Sequence, residues 1–177
     1  MDEMFDAVGE ALCCAAAIRV GGAVRVLTER AGVLEHYDTI MAGIESTTGF
    51  LDGRELDDEL VVAAFAESWS LDSRCPAGFA GHTVVKGWAS LAFGVTALTR
   101  PKQGDTSAAQ WLECASHAAA AWPSGVRVDS YDSLAHFELA CQQEAADRLR
   151  KDGLPALWEL ADVRSKQYHQ VAEELRG

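Results

Sequence analysis

Apolar residues recur along this chain at intervals of three and four positions, which is the spacing of one face of an α-helix. No stretch alternates convincingly between polar and apolar residues, as a half-buried strand would. The pattern predicts an all-α fold, a bundle of about seven helices in a single domain over residues 1–177. The predicted helices cover residues 3–30, 34–47, 54–69, 80–99, 107–122, 129–152 and 154 to near the C-terminus.

The stretch 80–99 is the least polar part of the chain and has Lys86 as its only full charge. Its apolar positions occupy most of the circumference of a helix, so most of that circumference must be covered by other elements. We therefore interpret it as the central helix of the bundle. A membrane span would have a similar length, but Lys86, His82 and the glycines of the stretch disfavour that interpretation.

Two glycine-containing segments are expected to interrupt the N-terminal half. Gly21 and Gly22 each weaken the first helix by about 1 kcal/mol relative to alanine, which predicts a kink or a break. The segment 48–53 is predicted to be a turn, and Asp52 followed by Gly53 is its strongest signal.

The later helices carry their own start and stop signals. Asp129 or Ser130 is predicted to cap the sixth helix, and Gly153 is predicted to end it.

The third helix is expected to bury one face against the bundle. That face is predicted to consist of Leu60, Val61, Ala64 and Phe65.

The composition is that of a soluble globular protein, with 49% hydrophobic residues and a mean hydropathy of −0.03. The net charge is −12 and the pI is near 4.7. Nucleic acid is an unfavourable partner because phosphate contacts need clustered Lys and Arg, and an anionic membrane surface is disfavoured for the same reason. The sign of the charge favours a basic protein partner, although solubility alone also accounts for it.

The chain has five cysteines and an acidic N-terminus that does not resemble a secretory signal. We therefore expect a cytoplasmic protein with reduced, mostly buried thiols. Cys13 and Cys14 are adjacent and point about 100° apart on a helix, which makes joint chelation difficult. We interpret them as small buried hydrophobic residues.

Several short pieces occur in an order that is found in one known family. They are Glu29-Arg30 followed by Tyr37, the segment from Thr48 to Gly53, a helix with Trp69, and a helix with Glu138 and Gln142 four residues apart between Phe137 and Glu144. In this order the chain resembles the YjaG-like proteins, a bacterial family of unknown function. The resemblance implies a bacterial protein with an all-helical fold. It implies no chemistry, because none is established for that family.

One set of side chains has the composition of a metal site. Glu113, Cys114 and His117 share a face of the fifth predicted helix, and His136 lies on the next one. If the two helices are antiparallel, they bring the histidines together in a mixed ligand set suited to zinc or iron. The alternative is a core cysteine beside hydrogen-bonded surface histidines, since the chain has no Glu-x-x-His, His-x-x-x-His or Cys-x-x-Cys motif.

An acidic cluster surrounds the start of the third helix. Its members are Asp52, Glu55, Asp57, Asp58 and Glu59. The cluster lacks the alternating oxygen ligands and central glycine of an EF-hand loop. It is therefore interpreted either as a surface that meets a basic partner or as a solvated helix start that complements the helix dipole.

The five tryptophans allow two interpretations, a buried core or the lining of a pocket for a flat ligand. Neither a nucleophile-elbow motif nor a glycine-rich phosphate loop is present. The favoured hypothesis is a non-catalytic acidic binding protein that neutralises or regulates a basic protein, as immunity proteins do, and has no cofactor. The alternative is a metal-dependent helical-bundle enzyme that uses the Glu/His/Cys set. A homodimer is a third possibility.

Overall fold

The computed structural model describes residues 2–76, 81–98, 108–122 and 126–174, and these form seven helices without a strand. The prediction of an all-α bundle is confirmed. The predicted helix positions 80, 99, 107 and 175–177 lie outside the described residues. The helices are α1 (Asp2–Ala31), α2 (Leu34–Leu51), α3 (Asp58–Arg74), α4 (His82–Leu98), α5 (Ala108–Ala120), α6 (Leu134–Asp152) and α7 (Leu154–Glu174).

Two helices share the interior of the bundle. α4 is buried along most of its circumference, as predicted, and packs against α1, α2, α3 and α5. α1 contacts five helices, which are α2, α4, α5, α6 and α7. Trp88 joins the two by donating its indole N–H to the carbonyl oxygen of Ala17 at 2.8 Å. The interior is therefore organised around α1 as much as around α4.

The length and apolarity of α1 between Ala7 and Ala31 would also allow it to cross a membrane. In the bundle, however, 83% of its most apolar window is buried by other helices. That burial is typical of a core helix.

The break considered at Gly21 and Gly22 is absent, because α1 runs through both glycines. A Cβ atom at position 22 would collide with the backbone carbonyl group of Ser165 on α7. Gly94 is equally crowded, because a Cβ there would overlap the indole ring of Trp111 on α5. These glycines permit close approach between helices, and packing there offsets their low helix propensity.

The predicted turn at 48–53 is too long, because α2 continues through Gly49 to Leu51. Only Asp52 and Gly53 form the turn, and Gly53 has a φ of +85°, which favours glycine. The third helix was expected to start at position 54, but its first helical residue is Asp58. Its far end, expected at position 69, lies at position 74.

The cap predicted for α6 is also wrong, whereas its end is confirmed. Ser133, not Asp129 or Ser130, caps α6, and its hydroxyl accepts a hydrogen bond from the backbone N–H of His136. Asp129 instead occupies the left-handed region at a φ of 52°. Gly153 ends the helix with a φ of +83°, as expected for a C-terminal glycine.

A charged network lies inside the bundle, formed by residues to which the sequence assigned no buried role. Arg19 of α1 is 2% exposed and Glu138 of α6 is 0% exposed. Two hydrogen bonds join them, from Nε to Oε2 at 2.9 Å and from a terminal guanidinium nitrogen to Oε1 at 2.5 Å. The hydroxyl of Tyr168 on α7 donates to Oε2 at 2.6 Å, and Gln142 donates to Oε1 at 3.0 Å.

The network extends to a fourth helix, and its surroundings fix the ionisation states of Arg19 and Tyr168. The Gln142 amide also lies within hydrogen-bonding distance of the carbonyl oxygen of Leu112 and the hydroxyl of Ser116, both on α5. Burial opposes the charge on Arg19, but the facing Glu138 carboxylate outweighs it and raises the arginine pKa. Burial and the same carboxylate raise the pKa of Tyr168 well above its usual value. Arg19 therefore stays charged and Tyr168 stays neutral.

All five cysteines are free thiols, and four of them are buried. Burial raises the pKa of Cys13 and of Cys141 to about 12. Burial also raises the pKa of Cys14 well above its usual value. Thiols held in the protonated state are weak nucleophiles, so these side chains act as core residues. This outcome matches the interpretation of Cys13 and Cys14 as small hydrophobic residues.

The Arg19–Glu138 pair gives a test of how the bundle is held. In R19M or E138Q the remaining group is buried without its charge partner, and we expect either change to lower the free energy of unfolding by about 3–5 kcal/mol. The double variant R19M/E138Q removes both charges and is expected to lose much less than the sum of the two single losses. Chemical denaturation of the four proteins measures this, and strictly additive losses would contradict it.

The raised pKa values predict that stability falls at alkaline pH. In the unfolded chain, thiols lose their protons near pH 8.5 and tyrosines near pH 10, whereas in the fold the pKa values of Cys13, Cys141 and Tyr37 are raised to about 12. At alkaline pH the folded state then binds more protons than the unfolded state. The stability that these groups contribute is therefore fully present below pH 8.5 and is lost as the pH rises towards 12. Each such group contributes a slope of up to about 1.4 kcal/mol per pH unit.

Denaturation under reducing conditions between pH 7 and 11 measures this slope. The variant C13A/C141A is expected to lose part of it. A free energy of unfolding that stays constant up to pH 11 would disprove the expectation.

Candidate functional site

The acidic cluster lies at the surface, in the connection between α2 and α3 and in the first turn of α3. Two of its five acids have structural tasks. The Asp57 carboxylate caps α3 by accepting hydrogen bonds from the backbone N–H groups of Glu59 and Leu60, both at 3.1 Å. Asp52 accepts a hydrogen bond from the indole N–H of Trp158 at 2.9 Å, which ties the turn to α7.

The other three acids, Glu55, Asp58 and Glu59, form what we call the acidic edge. All three are exposed, and no hydrogen bond or ion pair joins their side chains to another described residue. Asp58 and Glu59 also lie in the first helical turn, where negative charge is stabilised by the helix dipole. The interpretations as a helix start and as a binding surface are therefore compatible, and three of the five predicted residues have a carboxylate available to a partner.

An exposed apolar face follows the acidic edge along α3. It consists of Val62, Ala66 and Trp69, which are four and three residues apart and so share one side of the helix. Val62 is 50% exposed and Trp69 is 75% exposed. Exposure of so large an aromatic side chain leaves apolar surface that the described part of the chain does not cover. We call these residues the exposed α3 face.

Sequence reasoning did not identify this face, and it also placed one exposed residue of α3 on the buried side. Leu60 is 39% exposed, contrary to its predicted place in the core, whereas Val61 and Ala64 are buried as expected. The available signal was the series Asp58, Val62, Ala66 and Trp69, which repeats at helical spacing.

Trp69 belongs to a group of aromatic rings that crosses three helices. Its ring centroid lies 5.5 Å from that of Phe93 on α4, which lies 4.4 Å from Phe65 on α3 and 6.1 Å from Trp111 on α5. The other three rings are half-buried. We call these four side chains the aromatic surface. The remaining tryptophans divide between the core, where Trp88 and Trp122 lie, and the half-buried Trp158.

The side chains of the predicted metal site do not converge. Glu113 and His117 are exposed on α5, His136 is exposed on α6, and Cys114 is half-buried between its neighbours. Burial, followed by the charge of Glu113, raises the pKa of the Cys114 thiol, which is unfavourable for a thiolate ligand. Among the described residues, no three His, Cys, Asp or Glu side chains lie close enough together to hold a metal ion.

The capping role of Asp57 can be separated from binding. We expect D57A to lower the free energy of unfolding by about 1 kcal/mol, because the backbone N–H groups of Glu59 and Leu60 lose their acceptor. D58N is the matched control, since Asp58 accepts neither bond, and it should change stability by less than about 0.5 kcal/mol. Thermal or chemical denaturation measures both. Equal losses of unfolding free energy in D57A and D58N would show that the capping hydrogen bonds of Asp57 do not stabilise the fold.

Comparison of the chain with protein-family models, with curated proteins and with solved structures found no match in any of the three. The resemblance to the YjaG-like family stays a prediction, and the functional argument depends on the surface of this molecule.

Proposed function

We propose that this is a non-catalytic, acidic binding protein that neutralises or regulates a basic protein partner, in the manner of an immunity protein. One observation carries the proposal. The unpaired carboxylates of the acidic edge adjoin the exposed α3 face on the same helix. Negative charge and exposed apolar surface are thus available together at one place.

The two features contribute different parts of a binding free energy. Carboxylates that face a basic surface speed association and select partners by charge, and the net charge of −12 extends that attraction over the whole molecule. The apolar side chains supply the burial that exposed ion pairs alone do not provide. A partner that covers Val62 and Trp69 while facing Glu55, Asp58 and Glu59 gains both.

A cytoplasmic location is part of the proposal. It is supported by the five free cysteines, which would be exposed to oxidation in a secreted protein whenever the core opens. The enzyme alternative has less support. Among the described residues its predicted ligands form no group that could hold a metal ion, and the ionisable side chains of the Arg19–Glu138 network are enclosed in the core.

A charge-matched pair of variants tests the proposal. The site variant is E55Q/D58N/E59Q, and the control variant is D38N/E29Q/E159Q, which neutralises three exposed acids on α1, α2 and α7. Both change the net charge from −12 to −9, because each removes three negative charges. Asp52 and Asp57 are left intact, so that the turn and the cap survive.

The probe is a lysine-rich peptide of about 12 residues, whose binding is measured by calorimetry at low ionic strength and again at about 0.15 M salt. We expect the site variant to bind it roughly ten-fold more weakly than the wild type, since three exposed charge pairs are lost. The control variant should bind nearly as well as the wild type, and added salt should weaken binding to both.

Two results would disprove the proposal. Equal losses in the two variants would mean that the peptide responds only to net charge. Absence of binding to the wild type at low salt would mean that the acidic edge attracts no basic chain.

A further inference from the structure

We propose that the aromatic surface binds an arginine side chain of the same basic partner, with Trp69 as the main contact. The inference rests on the proposed function for the sign of the partner's charge, and it adds a second contact point and the chemical identity of the group that occupies it. The occupant is an arginine-bearing segment that runs from the acidic edge along α3 to Trp69.

Trp69 is far more exposed than the buried tryptophans of this fold. Trp88 and Trp122 show that this fold can bury indole rings, yet Trp69 keeps 75% of its surface in water. An indole ring has a large apolar area, and leaving it solvated is unfavourable relative to covering it. Because Trp69 packs against Phe93 at a centroid distance of 5.5 Å, it has support on one side while most of it remains open.

The neighbouring rings make this contact a surface instead of an isolated side chain. Phe93 lies between Trp69 and Trp111, and Phe65 packs against Phe93 at 4.4 Å. The four rings come from three helices that pack against one another in the order α3, α4, α5. A surface built on packed helices is held in place before binding, so little conformational entropy is lost when a partner covers it.

The electrostatics of aromatic ring faces favour a cationic group as the occupant of this surface. The faces of indole and phenyl rings attract cations, and tryptophan does so most strongly. A guanidinium group is planar and weakly hydrated, so it stacks on such a ring better than the compact, strongly hydrated ammonium group of lysine. The fold already contains one contact of this kind, where the guanidinium carbon of Arg164 lies 5.6 Å from the centroid of the Phe137 ring.

The distance between the two contact points suits a short segment of chain. Asp58 and Trp69 are 11 residues apart on α3, which is about 16 Å along the helix axis. A helical segment of about 11 residues, or an extended one of about 5, spans that distance. One segment can therefore place a basic residue at the acidic edge and an arginine on the rings.

The test compares two peptides of about 12 residues that have the same length and charge, one rich in arginine and the other rich in lysine. The proteins are the wild type, W69A, W69F and L139A, the last being a control on α6 with a comparably exposed apolar side chain. We expect the wild type to bind the arginine peptide about three- to thirty-fold more tightly than the lysine peptide.

W69A is expected to reduce that preference several-fold, and to weaken binding of the lysine peptide less, because the acidic edge still pairs with both cations. W69F should retain part of the preference, because phenylalanine still offers a ring face, and L139A should behave as the wild type. Trp69 is mostly exposed, so W69A is expected to fold, and its melting temperature checks this.

The outcomes separate this inference from the proposed function. Equal binding of the two peptides, or an arginine preference that W69A leaves undiminished, would overturn the arginine contact and leave the acidic edge standing. Absence of binding by either peptide would overturn both proposals. If native mass spectrometry shows a wild-type dimer that W69A converts to a monomer, the aromatic surface is an interface between two copies of this chain, and the arginine contact is wrong.

Discussion

The bundle depends on one buried ion pair. Arg19 and Glu138 are far apart in the chain, and each would be strongly unfavourable in an apolar interior without the other. The pair forms only when α1 and α6 are placed correctly, and Tyr168 and Gln142 then bring α7 and α5 to the same carboxylate. A packing of these helices with a different register would leave at least one charge unpaired. We therefore expect the network to favour one arrangement among the many that alanine-rich helices allow.

The fold class could be predicted from the sequence because helical periodicity is a local property. Residues three and four apart report on one helix without reference to the rest of the chain, and seven such patterns are visible. The contacts between helices are not local. Nothing near Gly22 indicates that Ser165 will approach it, so its packing role was mistaken for a break. The charge of Arg19, which directly follows an apolar stretch of small residues in the first helix, was a visible signal whose partner could not be assigned.

The five acids of the candidate surface were identified from the sequence, but their separate structural and binding roles were not. All five acids of the cluster are exposed, as charged residues usually are. Only the structure separates Asp57, which caps a helix, and Asp52, which holds Trp158, from the three acids that have no described partner. Leu60 was assigned to the buried face for a related reason. Leu60 and Val61 are equally apolar and adjacent, and which of the two is buried depends on how α3 is rotated against α2 and α4.

The contact between Gly22 and Ser165 also bears on how this chain tolerates evolutionary change. Position 22 has no room for even a methyl group while α1 and α7 keep their present separation. A descendant that acquires alanine there must move α7 outward, and Tyr168, one helical turn after Ser165, would move with it. That shift would disturb the carboxylate to which Tyr168 donates. Distant relatives with the same interior should therefore retain glycine at this position even where the surrounding alanines and valines have diverged.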